Sequence, residues 1–386
     1  MRLQMFTSNT NTKLKAASNL ALVLFLSTAI LTLSLPGRGQ GEGDFTYQLA
    51  LAGRKISFPA DHYSHPDFKT EWWYYTGHLE TESGKRYGYQ VTFFRFGVRD
   101  RQRNWKKEEP LFTDLYMAHF ALSDIAAKKF RFRERLNRGY GNKAGAATDR
   151  YYVWNEDWKV EGDEKSHKIY VNDRGTTLNL SLKSLKSPVL HGDHGHSQKD
   201  EGEGRASYYY SLTRLQTEGE LTIKGKREKV RGLSWMDHEF GSNQLGENQV
   251  GWDWFSIQFD NNTELMLYLM RRKDGSVDPY SSGTLVRADG TTKHLKLNDY
   301  RVEVRDHWKS PNSGANYPNK WKVSLPSHEL ELEITPAFAE QELITNRSTR
   351  VTYWEGAVGV KGSFRKRPVA GQGYVEMTGY AGKLNI

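Results

Sequence analysis

With 386 residues, 13% of them aromatic, and a formal net charge of +9, the chain is long enough for two ordinary domains or one large β domain. It contains no cysteine, which excludes disulfides, thiolate nucleophiles, Cys-ligated zinc and the lipid-bearing cysteine of a bacterial lipoprotein. Four of the positive charges lie in residues 1–39, which hold no acid; the +5 left for the rest is interleaved with acids, as in Lys224-Gly-Lys-Arg-Glu-Lys229, and argues against a nucleic-acid face.

The first segment has the pattern of an export signal. Lys13 and Lys15 precede an uncharged apolar run, Leu20 to Leu35, shorter than the ~20 residues of a membrane span. Pro36-Gly-Arg-Gly-Gln-Gly-Glu-Gly43 breaks it with small residues. Residues 1–39 are therefore expected to be a signal peptide cleaved near Gly39, or an N-terminal anchor if left uncleaved, for no good A-x-A site is present. The mature protein is expected to be periplasmic or secreted.

Beyond residue 44 the pattern is short strands and turns. Glu71–Leu79 reads as an aromatic strand, Ser83-Gly-Lys85 as a turn, and Tyr87–Phe96 as its alternating partner. Further hairpins are expected at Phe255–Phe259 with Glu264–Arg271, around Asp260-Asn-Asn262, and at Thr284–Arg287 with Thr291–Leu295, around Ala288-Asp-Gly290. No long amphipathic helix is visible. The fold class expected is all-β, a barrel or sandwich.

The two halves repeat. Glu71-Trp-Trp-Tyr-Tyr-Thr-Gly-His-Leu79 lines up with Gly251-Trp-Asp-Trp-Phe-Ser-Ile-Gln-Phe259, and Gly232-Leu-Ser-Trp-Met-Asp-His-Glu-Phe-Gly241 with Gly373-Tyr-Val-Glu-Met-Thr-Gly-Tyr-Ala-Gly382. In this match Thr378, Gly379 and Tyr380 stand where the first copy has Asp237, His238 and Glu239. Two tandem domains follow, at 45–240 and 245–386.

The segments Phe58-Pro59, His65-Pro66, Glu71-Trp-Trp-Tyr74, Val91-Thr-Phe-Phe-Arg95, Ser207-Tyr-Tyr-Tyr-Ser211, Trp235-Met-Asp-His-Glu-Phe-Gly241, Gly251-Trp-Asp-Trp254, Tyr280-Ser-Ser-Gly283, Tyr353-Trp-Glu-Gly356 and Gly373-Tyr-Val-Glu376 resemble the AttH/carotenoid 1,2-hydratase family from about residue 55 onward. The resemblance implies two tandem lipocalin-like β-barrel domains with a pocket in or between them. It also implies either hydration or cyclisation of an apolar, isoprenoid-like compound, or a place among exported members that carry only a generic hydrolase label.

The charged residues are read against two alternatives. Asp237 and Glu239 share one strand face with Trp235 and Leu233. A carboxyl desolvated there would stay protonated and could give its proton to an alkene. Alternatively, the two form a junction salt-bridge network with Arg95, Arg231 or Arg271. His238 points to the opposite face and is a buried junction histidine or a base. Asp253 is a junction or pocket group, and Glu71 has a structural role. Trp72, Trp73, Tyr74, Tyr208, Tyr209, Tyr210, Trp235, Trp252 and Trp254 line a ligand cavity or are core. The catalytic candidates are Asp237, Glu239 and His238; the ligand-binding candidates are Trp72, Trp73, Tyr74, Tyr209, Trp235, Trp252, Asp253 and Trp254.

His191-Gly-Asp-His-Gly-His196 has residue types that can bind Zn²⁺ or Ni²⁺, but lies in a polar, glycine-rich stretch and is read as a solvated loop. No metal or other cofactor is expected. G-x-S-x-G, P-loop, H-E-x-x-H and G-x-G-x-x-G motifs are missing, so serine-hydrolase chemistry has no support. The expected partner is a small apolar ligand, met by an enzyme or by a non-catalytic carrier.

Overall fold

A computed structural model describes residues 47–98, 113–382 and 384. The expected signal segment lies outside these residues. The helical content of the described residues consists of 3-10 turns at Ala60–His62, Leu297–Asp299 and Pro326–His328. None of their helices is long and apolar enough to cross a membrane.

The first sheet contains β1 (Thr70–Thr81), β2 (Arg86–Gly97), β3 (Asp114–Asp124), β4 (Lys129–Arg138), β5 (Ala144–Ala146), β6 (Tyr151–Asn155), β7 (Trp158–Gly162), β8 (Ser166–Asp173), β9 (Thr176–Ser184), β10 (Val189–Leu190), β11 (His196–Gln198), β12 (Ala206–Ile223) and β13 (Lys226–Gly241). Its order is β4-β3-β2-β1-β13-β12-β9-β8-β7-β6-β5, with β10 and β11 added on β12. The second contains β14 (Gln249–Phe259), β15 (Glu264–Arg272), β16 (Ser282–Val286), β17 (Thr292–Lys296), β18 (Arg301–Lys309), β19 (Asn316–Leu325), β20 (Leu330–Pro336), β21 (Glu342–Ile344), β22 (Thr352–Phe364) and β23 (Arg367–Met377), in the order β17-β16-β15-β14-β23-β22-β20-β19-β18, with β21 on β22. All named pairs are antiparallel. The expected turns form, with positive φ at Gly84, Asn262 and Gly290, where such residues are tolerated.

Each sheet curls around its own core. The first nearly closes into a barrel: Asn155 donates from Nδ2 to Tyr116 O at 3.1 Å, and Arg135 reaches Asn155 O at 2.8 Å, tying β3 and β4 to β6. Inside sit Trp73, Tyr75, Phe93, Trp158, Ile169 and Met236. The second is a half-barrel around Phe255, Ile257, Trp321, Val323 and Trp354.

The central strands bury their outer faces too. Tyr74, Tyr209 and Trp235 of the first sheet pack on Trp254, Met266, Tyr268 and Tyr374 of the second. Reciprocal polar contacts lock this packing. His78 donates from Nε2 to Gly373 O at 2.8 Å, and Gln258, its match in the repeat, donates to Thr213 O and Ser234 O at 2.8 and 2.9 Å. A β-bulge between Leu212 and Leu215 displaces Thr213 and Arg214 from the ladder. Arg214 then meets the buried Glu264, which Lys186 also contacts.

Gly88 sits where the two sheets touch: a Cβ there would lie 2.4 Å from Tyr374 Oη and 2.7 Å from Ala357 Cβ. Gly88→Val should therefore cost roughly 2–3 kcal/mol of unfolding free energy in urea titrations, by overpacking.

Candidate functional site

Alternation along β13 separates the sequence candidates into two clusters. Trp235, Asp237 and Glu239 face the second sheet, while Met236, His238 and Phe240 face the barrel. The same parity on β1 puts Trp72 and Tyr74 outward and Glu71, Trp73 and Tyr75 inward.

The inward cluster is a charge chain. Arg54 contacts Asp61; Asp61 contacts His65 at 3.0 Å; His65 contacts Glu71 at 2.8 Å; Glu71 contacts Arg95 at 3.0 Å; and Arg95 contacts Asp114 at 2.9 Å. Burial would raise the Glu71 carboxyl, but hydrogen bonds from His238 and His65 and the charges of His65 and Arg95 outweigh it and hold the carboxyl well down. Burial lowers His65, yet Asp61 and Glu71 raise it on balance, and both ring nitrogens face carboxylate oxygens, an arrangement that favours the charged imidazolium. His238 donates from Nε2 to Glu71 at 2.9 Å, faces Tyr210 Oη at 3.0 Å through Nδ1, and stacks on Trp73 at 4.9 Å. Ligand atoms of His65, Glu71 and His238 lie within 4.8 Å of one another. Glu71 is, however, already bonded by Ser64 Oγ, His65 N and Arg95, and a cation would sit against Arg95 and protonated His65. This is an ion-pair network that ties the 54–65 segment into the barrel end.

The outward cluster is acidic and aromatic. Asp237 accepts from Ser211 Oγ, from Trp235 Nε1 at 2.6 Å and from Tyr209 Oη at 2.8 Å, with no basic side chain in salt-bridge contact among the described residues. Trp254 Nε1 donates to Tyr209 Oη at 3.0 Å, and His191 holds Ser211 Oγ through Nε2 at 2.6 Å. Burial drives the Asp237 pKa up to about 7, against the lowering effect of its three donors. Glu239 differs: the buried Lys199 lies 3.2 Å away, over the Tyr268 ring, and Ser207 Oγ donates to it.

The second sheet contributes two more carboxyls. Tyr74 lies opposite Asp237 in the register, and Trp254 opposite Glu376. Tyr74 and Trp254 are matched positions of the repeat, so Glu376 is the structural counterpart of Asp237. The sequence match had put Thr378 there. That two-residue offset preserves face parity, so alternation could not reveal it. Glu355 stands directly across from Glu376 on β22. It is buried, and neither of its carboxyl oxygens has a hydrogen-bond partner among the described residues. Burial pushes both glutamates up, Glu376 to about 8; Glu376 adds to this at Glu355, and a contact with Trp252 partly offsets it at Glu376. Trp72, Trp252, Leu245 and Glu376 are part-exposed and form the rim of the cluster.

Several sequence candidates go elsewhere. Trp73 and Tyr210 are barrel core, and Tyr208 packs with Phe68 and Phe240. His238 is separated from Asp237 by the sheet itself. Asp253 faces the second core, where Arg271 meets it at 3.0 Å and Tyr380 Oη donates at 3.0 Å. Arg271 thus pairs with Asp253 at the second core and Arg95 with Glu71 and Asp114 inside the barrel, so the expected junction network of Asp237 and Glu239 with Arg95, Arg231 or Arg271 does not form among the described residues; Glu239 pairs with Lys199 instead. The His191–His196 stretch is not a simple solvated loop. Its end pairs with β12, His191 is buried between Ser211 and Thr284, His196 reaches Ala50 O, and His194 points to solvent. The three imidazoles diverge. Glu355 and Glu376 were missed as site residues; both lie in quoted motifs, Tyr353-Trp-Glu-Gly356 and Gly373-Tyr-Val-Glu376, on strands whose other residues read as core.

A cleft of about 430 Å³ runs over the outer face of the first sheet to Gln372 of the second, bordered by His78, Arg86, Glu218 and Arg231. A smaller one of about 230 Å³ includes Phe120, Arg131, Arg133 and Lys224. Neither is lined by Asp237.

A family model described as AttH-like matches residues 49–380. The crystal structure of an AttH protein from Nitrosomonas europaea is similar at 33% identity, covering 86% of this chain and 99% of that one, with TM-score 0.78. Kievitone hydratase from Nectria haematococca shares the fold at 15% identity, with 86% and 94% covered and TM-score 0.66. CghA solved with Sch210972 does so at 12% identity, with 82% and 90% covered and TM-score 0.51. No protein of curated function matches the chain.

Two outcomes follow from the opposite electrostatics of the clusters. Arg95→Leu should cost about 3–5 kcal/mol of stability, because Glu71 and Asp114 lose their buried cation. Asp237, with its folded pKa raised above the unfolded value, stabilises fully below about pH 4 and loses that contribution as pH rises through about 7. The unfolding free energy of wild type minus that of Asp237→Asn should therefore fall with a slope of up to ~1.4 kcal/mol per pH unit inside that window and level off above it. Denaturant titrations at several pH values measure this difference, which cancels the opposing contribution of buried neutral histidines such as His78 and His119.

Proposed function

From the premise that this chain belongs to the AttH-like family, we propose that it is an exported protein that binds an apolar, isoprenoid- or lipid-like ligand between its two sheets. We also propose that it carries out acid-catalysed chemistry of the hydratase or cyclase type there. Asp237 is the proton-transfer group. The observation that carries this is a carboxyl buried among Tyr74, Tyr209, Trp235 and Trp254, given hydrogen bonds by neutral donors and without a paired cation among the described residues, so that its pKa is about 7. A carboxyl in this state exchanges a proton at neutral pH with little free-energy cost in either direction. Aromatic faces beside it can steady a cation formed on a polyene. The Lys199–Glu239 pair and His191 hold the surrounding side chains in place.

A carrier without chemistry is the second reading. It is favoured by the separation of the 430 Å³ cleft from the acid cluster. One pair of variants distinguishes the two. The apolar compound that co-purifies with the full chain is identified by native mass spectrometry and used as the assay substrate. If the enzyme reading holds, Asp237→Asn lowers turnover at least ~10²-fold while binding is kept and the melting temperature at pH 7 is not lowered. If Asp237→Asn is without effect while Trp254→Ala or Trp72→Ala removes binding, the carrier reading replaces it. Export is checked by fractionation and N-terminal sequencing, with the mature chain expected to begin near Gln40.

A further inference from the structure

Across the aromatic face from Asp237 lies a second acidic group. Glu355 and Glu376 occupy directly opposed positions on β22 and β23, where side chains on one face are neighbours. Glu355 is 1% exposed, and both its oxygens lack a hydrogen-bond partner among the described residues. The phenol of Tyr74 lies near enough to lower the Glu355 carboxyl somewhat, but makes no hydrogen bond of normal geometry with it. No lysine or arginine forms a salt bridge with either glutamate among the described residues. By contrast, Asp237 receives Ser211, Trp235 and Tyr209 on its two oxygens, an arrangement that favours a carboxylate. Two opposed carboxyls with no cation cannot both be ionised at low cost; two donor-rich oxygens can hold a charge.

We propose that Glu376, held beside Glu355, is the proton donor of this site and Asp237 its base, so that the two matched positions of the repeat divide acid and base work between them. This rests on the reading of Asp237 as a proton-transfer group and extends it. For addition of water, the O–H bond of Glu376 breaks and a C–H bond forms at one alkene carbon as the π pair moves to that carbon. Water oxygen bonds to the cationic carbon left behind, and the proton it sheds passes to the Asp237 carboxylate. Transfer of that proton from Asp237 to Glu376 restores both groups; the net change is alkene plus water to alcohol. The face of Trp254, Glu376's partner in the register, lies beside the path of the developing cation. Part-exposed Glu376 is at the rim and fully buried Glu355 behind it, so the outer carboxyl is the one a ligand reaches.

The test is an infrared titration of the purified full chain from about pH 5 to about pH 10, following the C=O stretch of protonated carboxyl groups, which requires no substrate. Wild type should keep protonated-carboxyl absorption at pH 7 that disappears only in the alkaline limb. Glu376→Gln and Glu355→Gln should each remove part of it. Asp237→Asn should leave the alkaline component in place. Either glutamate variant suffices if the other fails to fold, with far-ultraviolet circular dichroism as the check. Absorption at pH 7 unchanged in both glutamate variants, or abolished by Asp237→Asn alone, would overturn the assignment. Because the titration is independent of turnover, such a result leaves the Asp237→Asn activity test standing, and failure of that test is seen separately.

Discussion

The site depends on one constraint: the central strands of both sheets are buried on two faces. An antiparallel sheet usually offers one face to water. Here β1 and β13 have a barrel core on one side and the second sheet on the other. Every polar group on these strands must therefore find a partner, change its protonation or be put to use. The inward groups found partners. Most of the outward ones are hydrogen-bonded by neutral groups, and Glu355 of the second sheet has no hydrogen-bond partner on either carboxyl oxygen among the described residues.

Two carboxyls on the paired strands β1 and β13 show how strongly context overrides residue type. Glu71, across the ladder from Phe240 and bonded to His238, lies within reach of two cations and is driven down. Asp237, one residue from His238, has none and is driven up. Burial acts in the same direction on both carboxyls, so the cations decide the sign. This is why the inward chain contributes to stability at neutral pH while the outward acids oppose it.

Much of the fold was legible in the sequence. The hairpin at Glu71–Phe96, the Asn-Asn and Asp-Gly turns and the tandem aromatic strands carry period-2 alternation and turn chemistry that need no tertiary information. The family resemblance supplied the lipocalin-like architecture. Parity alone placed Asp237 with Trp235 and turned His238 away. What alternation cannot report is register: a two-residue slip leaves every face unchanged, which is how Thr378 was matched in place of Glu376. Nor does it choose between the two inner sides of a doubly buried strand, so Trp73 and Asp253 were assigned to the ligand wall when each faces a core. His65, Asp61 and Arg54 come from an irregular segment before β1, where no periodicity predicts what they touch.

The reciprocal contacts of His78 and Gln258 have a mechanical side. Each donates to main-chain carbonyls of the opposite half, and Arg214 spans the same seam to Phe259 O. Hinged or sliding separation of the halves would strip several buried acceptors at once, at a cost far above that of rotating a side chain. Under the proposed ligand-binding reading, exchange with the acidic face would then proceed by rotamer changes of the part-exposed rim residues Trp72, Trp252 and Leu245 rather than by movement of the backbone.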